Sequence, residues 1–139
     1  MKKIVVFLIC IVSVFAFFAC DNGGTNKNVG KTVVLTPTDE YEGRVLADYM
    51  EHLKSIGELN YVMTGEGESG YISSLDGVEQ SSADGLYWFL YTNDPLQEPT
   101  AFGSMEYRGE TFWSPNKGVG TLEIVSGCKY LWIYKSWQS

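Results

Sequence analysis

The chain has 139 residues, 45% of them hydrophobic, and carries 10 Lys/Arg against 17 Asp/Glu for a formal charge of −7 at pH 7. That length holds one domain beyond any targeting segment. An acidic balance with no basic stripe repels phosphate backbones, so nucleic acid is excluded as an expected partner.

The N-terminus reads as targeting. Lys2 and Lys3 precede an apolar run, Ile4 to Ala19, broken only by Ser13. The run falls short of the roughly 20 apolar residues that a membrane-spanning helix needs, so it reads as an export signal over residues 1–19. It ends "FFAC", Phe17 to Cys20. A small residue before a Cys at that point resembles a bacterial lipobox, although Phe17 stands where Leu is common. The resemblance implies that Cys20 is acylated and becomes the mature N-terminus. The alternative is an ordinary secretory signal cut after Ala19. Residues 20–31 include "DNGGTNKNVGK", rich in Gly and Asn and without apolar periodicity, which is the composition of a flexible tether. The expected location is the outer side of a bacterial membrane, with the membrane itself a partner through the lipid anchor. Once Lys2 and Lys3 leave with the signal, eight Lys/Arg face seventeen Asp/Glu, a formal charge of −9. Cys128 is then the one cysteine left for the domain at 32–139, so no intrachain disulfide is available and a buried apolar role is expected.

Within 32–139, "KTVVLTPT" (residues 31–38) reads as a first strand. Val45, Leu46, Tyr49, Met50, Leu53 and Ile56 then fall on one helical stripe. Asp39, Glu40 and Glu42 lie near its predicted start, Lys54 lies near its end, and Gly57 is placed as a C-cap, so a helix is predicted at about residues 43–56. "LNYVMT" and "YISSL" are strands around the loop "GEGESG", and "DGVEQ" is a turn. Leu86–Tyr91 is a strand, left through the prolines of "NDPLQEP". Residues 100–118 read as loop with short pairings near "SMEYR" and "TFW". "GTLEIV" alternates, with Leu122 and Ile124 on one face, and the last strand is "YLWIYKSW". The expected class is α+β, a small mixed sheet with one packed helix.

The segment "DGLYWFLYTND" places four large aromatics between Leu86 and Thr92. Alternation along a strand puts Leu86, Trp88 and Leu90 on one face and Tyr87, Phe89 and Tyr91 on the other. In the last strand Tyr130, Trp132 and Tyr134 oppose Leu131 and Ile133. If the two Tyr-bearing faces lie on one side, they make an amphipathic platform. One helix covers one sheet face, so that platform is covered either by the long 94–120 segment or by a ligand. Trp113 and Trp137 are the rings expected to be most exposed. The candidate ligand-binding residues are Tyr87, Trp88, Tyr91, Trp113 and Trp132, with flat or apolar ligands, glycans included, as the class that stacks on rings.

The stretch "SGYISSLDGVEQSSADGLYWFLYTND" resembles the transcobalamin-like C-terminal domain of bacterial surface proteins, a domain of unknown function. "RVLADYMEHLK" fits that family's helix, "YISSLDGVE" its strand ending in Asp-Gly, "GLYWFLYTND" its aromatic strand and "VSGCKYLWIYK" its closing segment, covering about residues 32–135. Two features depart from the pattern: Cys128 stands where an acid is common, and "PLQEPTAFGSMEYRGETFWSPNKG" is long. The resemblance implies a β-grasp-like domain, a sheet with one packed helix. It also implies cobalamin as a conceivable ligand, because the related domain in eukaryotic carriers is one of two that close over the corrinoid. This chain has no second, α-barrel domain to close the pair.

Catalytic and metal constellations are not expected. His52 is the only histidine and sits mid-helix, where a metal site would need several ligands. Ser73, Ser74, Ser81 and Ser82 have no His and acid pattern around them. Glu66 and Glu68 alternate in a Gly-rich loop without a calcium or phosphate-loop signature. The sequence therefore points to a non-enzymatic surface lipoprotein that captures a small ligand such as a corrinoid or glycan. The alternative is a structural or protein-interaction module of the cell envelope, pairing through a sheet edge or an acidic face. No cofactor is expected.

Overall fold

The computed structural model describes residues 26–97 and 103–138. The signal run, Cys20 and the first part of the tether lie outside the described residues. The elements are β1 (Thr32–Leu35), α1 (Leu46–Ser55), β2 (Tyr61–Thr64), β3 (Tyr71–Leu75), β4 (Val78–Glu79), β5 (Leu86–Thr92), β6 (Ser104–Tyr107), β7 (Glu110–Trp113) and β8 (Tyr130–Ser136). They form two antiparallel sheets, one of five strands in the order β1-β8-β5-β7-β6 and one of three in the order β2-β3-β4. The expected α+β class with one packed helix is what the chain adopts. Among the described residues no helix is long and apolar enough to cross a membrane.

The helix begins three residues later than its apolar stripe predicts, and its N-terminus shows why. Val45 is extended, and the N-cap offers no side-chain acceptor. Leu46 N–H instead donates to Leu122 O at 2.8 Å and Ala47 N–H to Val119 O at 3.0 Å. Two of the orphan donors that open any helix are thus satisfied by a distant segment rather than by a local cap. That segment is Val119 together with the following "GTLEIV", residues 120–125. The latter was expected as a strand, but apart from one isolated bridge, Val45 to Glu123, it is irregular. Its alternation is still meaningful, because Leu122 and Ile124 are both buried. At the other end Gly57 follows the last turn as expected, with Glu58 N–H returning to Leu53 O at 2.9 Å.

Leu46, Met50 and Leu53 of α1 pack into one core with Ile72, Leu75 and Val78 of the small sheet. The same core takes Leu86, Trp88, Tyr130, Trp132 and Tyr134 from one face of the large sheet. A second, smaller core lies on the opposite face: Phe89, Tyr91, Leu131 and Phe112, flanked by Tyr87, Met105, Tyr107 and Ile133. Register explains the split. Trp88 pairs with Tyr134, Leu90 with Trp132, and Phe89 with Ile133. Directly paired residues share a face. The Tyr-bearing face of β8 therefore joins the Leu/Trp face of β5, so the condition for a single aromatic platform, both Tyr-bearing faces on one side, is not met.

The second face is closed by the sheet itself. The β6–β7 hairpin turns at Arg108–Gly109, both at positive φ as a two-residue type I′ turn requires. It curls over β5 and β8 until Tyr107 of one edge strand reaches Thr32 of the other, with 3.2 Å between hydroxyl oxygens. Glu110 bridges Lys129 and accepts from Asn93 Nδ2, while Asn93 Oδ1 accepts from Lys129 N–H. The Lys129 hydrogen bond holds the Glu110 carboxyl below the usual range. If this curl is what seals the second core, Phe112→Ala should destabilise the protein by about 3–5 kcal/mol, read as a shift of the urea midpoint. A loss below about 1 kcal/mol would mean that Phe112 fills no core of consequence.

Candidate functional site

β7 pairs with β5 at a single position, Trp113 opposite Thr92, and the chain then leaves the sheet. Ser114 N–H is taken by Gly103 O at 3.0 Å, and Pro115 has no N–H to continue a ladder. The following loop crosses to the β2–β3 connection and docks there backbone against backbone. A Cβ added at Gly120 would lie 2.6 Å from Gly67 O, and one at Gly118 would lie 3.1 Å from Gly70 O. Between this loop and the edge of β5 lies a groove of about 810 Å³. That is the size of an ordinary small-ligand site.

Tyr87, Trp88, Phe89 and Leu90 of β5 form the base of the groove, and Ser114 to Val119 form the facing wall. Gly70 to Ile72, Gln80 and Ser82 close one end. Trp132 lies against it from β8, and Trp137, 63% exposed, stands at its mouth. Polar groups are few. Lys117 is the one charged side chain in the lining, and it has no ion-pair or hydrogen-bond partner among the described residues.

The two buried indoles differ. Trp88 Nε1 donates to Val78 O at 2.8 Å, and the neighbouring Tyr134 hydroxyl donates to Glu79 O at 2.9 Å. These two bonds tie β4 of the small sheet to the large one. The Trp88 and Tyr134 rings sit 5.2 Å apart. Burial, then the nearby Asp84 carboxylate, pushes the Tyr134 phenol up from its ordinary pKa. Trp132 Nε1 is buried and has no acceptor among the described residues. An unmet buried donor costs about 1–3 kcal/mol.

Of the five candidate residues, the structure brings Tyr87, Trp88 and Trp132 to the groove. Tyr91 lies in the second core at 1% exposure. Trp113 is half-buried in β7 and does not line the groove. The 114–119 wall and the ends of β3 and β4 were not anticipated. Pro115 with its flanking Ser and Asn marked a loop, but nothing local said which strand that loop would face. His52 is exposed on α1 beside Tyr41. Among the described residues no three of His, Cys, Asp and Glu gather as a metal group would. Cys128 is buried, and burial followed by the Asp94 charge pushes its thiol pKa up.

A family described as a domain of unknown function (DUF4430), grouped with transcobalamin-like domains, matches residues 43–102. The match takes in α1, the small sheet and β5, and therefore one side of the groove, but not its 114–119 wall, Trp132 or Trp137. No curated protein and no solved structure matches the chain.

Gly120 tests how the wall is held. Its backbone contact with Gly67 leaves no room for a methyl group, so Gly120→Ala should cost about 1–3 kcal/mol by forcing the two loops apart, measured as a drop in melting temperature. An unchanged melting temperature would show that the loops are not in contact.

Proposed function

We propose that this chain is an exported, lipid-anchored binding module that captures a small ligand in the groove between β5 and the 114–119 loop. The reading is of a binder and not an enzyme. Its main support is the groove itself: aromatic residues among its lining, of which Tyr87 is half-buried and Trp137 exposed, a few polar groups, and the volume of a ligand site. Tyr and Trp suit this work because they combine apolar area with one polar handle. Stacking on rings is compatible with a sugar face or with a corrinoid edge, the two classes raised by the sequence. The anchor reading rests on "FFAC" and the Gly/Asn-rich tether, with Cys20 as the acylated residue.

Calorimetric titration of the purified protein with cyanocobalamin and with a panel of oligosaccharides tests the reading. Saturable binding by one of these probes is expected. Trp137→Ala should weaken that binding about fivefold to tenfold, the scale of one lost ring contact. Absence of heat across the panel would remove both ligand classes. Intact mass of the membrane-extracted protein tests the anchor: a chain starting at Cys20 with a diacylglyceryl increment supports it, and an unmodified chain rules it out.

A further inference from the structure

We propose that the ligand class this groove selects is a short peptide in extended conformation, held as an added strand on the free edge of β5. The inference rests on the groove being a ligand site and sets a peptide, in place of a corrinoid or glycan, as what fills it. Its basis is the hydrogen-bond parity of the central strand pair. Tyr134 turns its backbone toward the first strand's side: Gly30 N–H donates to Tyr134 O at 2.7 Å, and Tyr134 N–H donates to Lys31 O at 2.9 Å. Its direct partner Trp88 therefore receives no ladder bond from β8. At the start of β5, Leu86 exchanges both backbone bonds with Ser81, at 2.8 and 2.9 Å, on the edge away from β8. Gly85 O, one residue earlier, faces β8 and accepts from Trp137 N–H. Antiparallel alternation then fixes the rest: Tyr87, Phe89 and Tyr91 bond to β8, and Trp88 and Leu90 present N–H and C=O to the groove.

That edge is open for the length of those two residues. Ser81 occupies it below and Trp113 opposite Thr92 occupies it above, and among the described residues no strand is registered against Trp88 or Leu90 on that side. Two residues of a partner strand, at i and i+2, span the same interval of about 6.8 Å. Strand addition supplies affinity through such main-chain bonds, and flanking pockets supply preference for alternate side chains. Here one direction meets Trp88 and Trp132, and the other meets Tyr87 and Phe89, so apolar side chains fit both. Trp132 Nε1, buried and without an acceptor, is a further donor beside the same groove. The lone charge of the lining, Lys117, is a cation in a chain of net charge −7, which favours an acidic group at one end of the peptide.

The test uses the full protein in detergent and capped pentapeptides with three central apolar residues and a Glu at either end. Saturable binding is expected in fluorescence anisotropy. N-methylation of the two amides that face β5 should weaken it about tenfold or more, and methylation of the intervening amides should change it less than about threefold. Lys117→Gln should weaken Glu-ended peptides about threefold or more and leave Gln-ended ones unchanged. Peptides that bind regardless of N-methylation would overturn strand addition. A glycan or corrinoid that binds where no peptide does would overturn the peptide class and leave the groove standing as a ligand site. Failure of all probes would remove both readings together.

Discussion

The structure depends on the pairing of β5 with β8. These are its two seven-residue strands, and they pair along their whole length, Leu86 to Ser136 through Thr92 to Tyr130. Both carry large apolar side chains at odd and even positions. The pair therefore has two apolar faces, and neither can be left in water without losing the burial that makes the strands worth ordering. One helix cannot cover both. The chain meets the constraint with two different covers: α1 and the small sheet on the Trp88 face, and the curled β6–β7 hairpin on the Tyr91 face.

The second cover has a geometric consequence. A hairpin that lies over a face of β5 cannot also run alongside its edge. β7 meets that edge at one residue pair and then departs, so β5 has a paired edge toward β8 and, before Thr92, a nearly bare one on the other side. Bare edges invite association, and proteins usually blunt them with charge, proline or a covering loop. Here the covering loop stands off, pinned instead to the β2–β3 connection by the close approach of Gly118 and Gly120 to Gly70 and Gly67. The space left between loop and edge is the groove. The site is thus a by-product of how the far face of the sheet is sealed.

Much of this was legible in the sequence, and the illegible parts share a cause. The helix, the strands around "GEGESG", the aromatic strand and the closing strand all announce themselves by local period, and they appear within a few residues of where period puts them. Alternation also identified the two faces of each strand. It could not say which face of β8 would join which face of β5, because that depends on register, and register is set by partners distant in sequence. The aromatic platform failed on that one unknown. "GTLEIV" was misread for a related reason: its inward residues alternate as in a strand, but Leu122 O accepts from Leu46 at the start of α1 and Ile124 O from Gly43 just before it, 70-odd to 80-odd residues back in the chain. The candidate site was half legible. Rings that reach the groove belong to the aromatic strand pair, whereas the 114–119 wall carries no period and was invisible until folded.

Among the residues that line the groove, those that fasten the fold are marked by how each polar tip is used. Trp88 lines the groove, but its N–H is committed to Val78 O, and with Tyr134 it fastens the small sheet to the large one. Its presence at the site follows from the fold alone. Trp132 sits in the same core with its N–H unmet, and Lys117 stands on the wall with no ion-pair or hydrogen-bond partner among the described residues. Strand alternation turns the backbone of Trp88 and Leu90 away from β8, where no described strand is registered against them. A folded domain satisfies nearly all its buried polar groups, so unmet groups are where stability alone does not account for the residue. Among the described residues only the Trp132 N–H is a buried side-chain group without a partner, since Lys117 is exposed to solvent, and that N–H borders the groove.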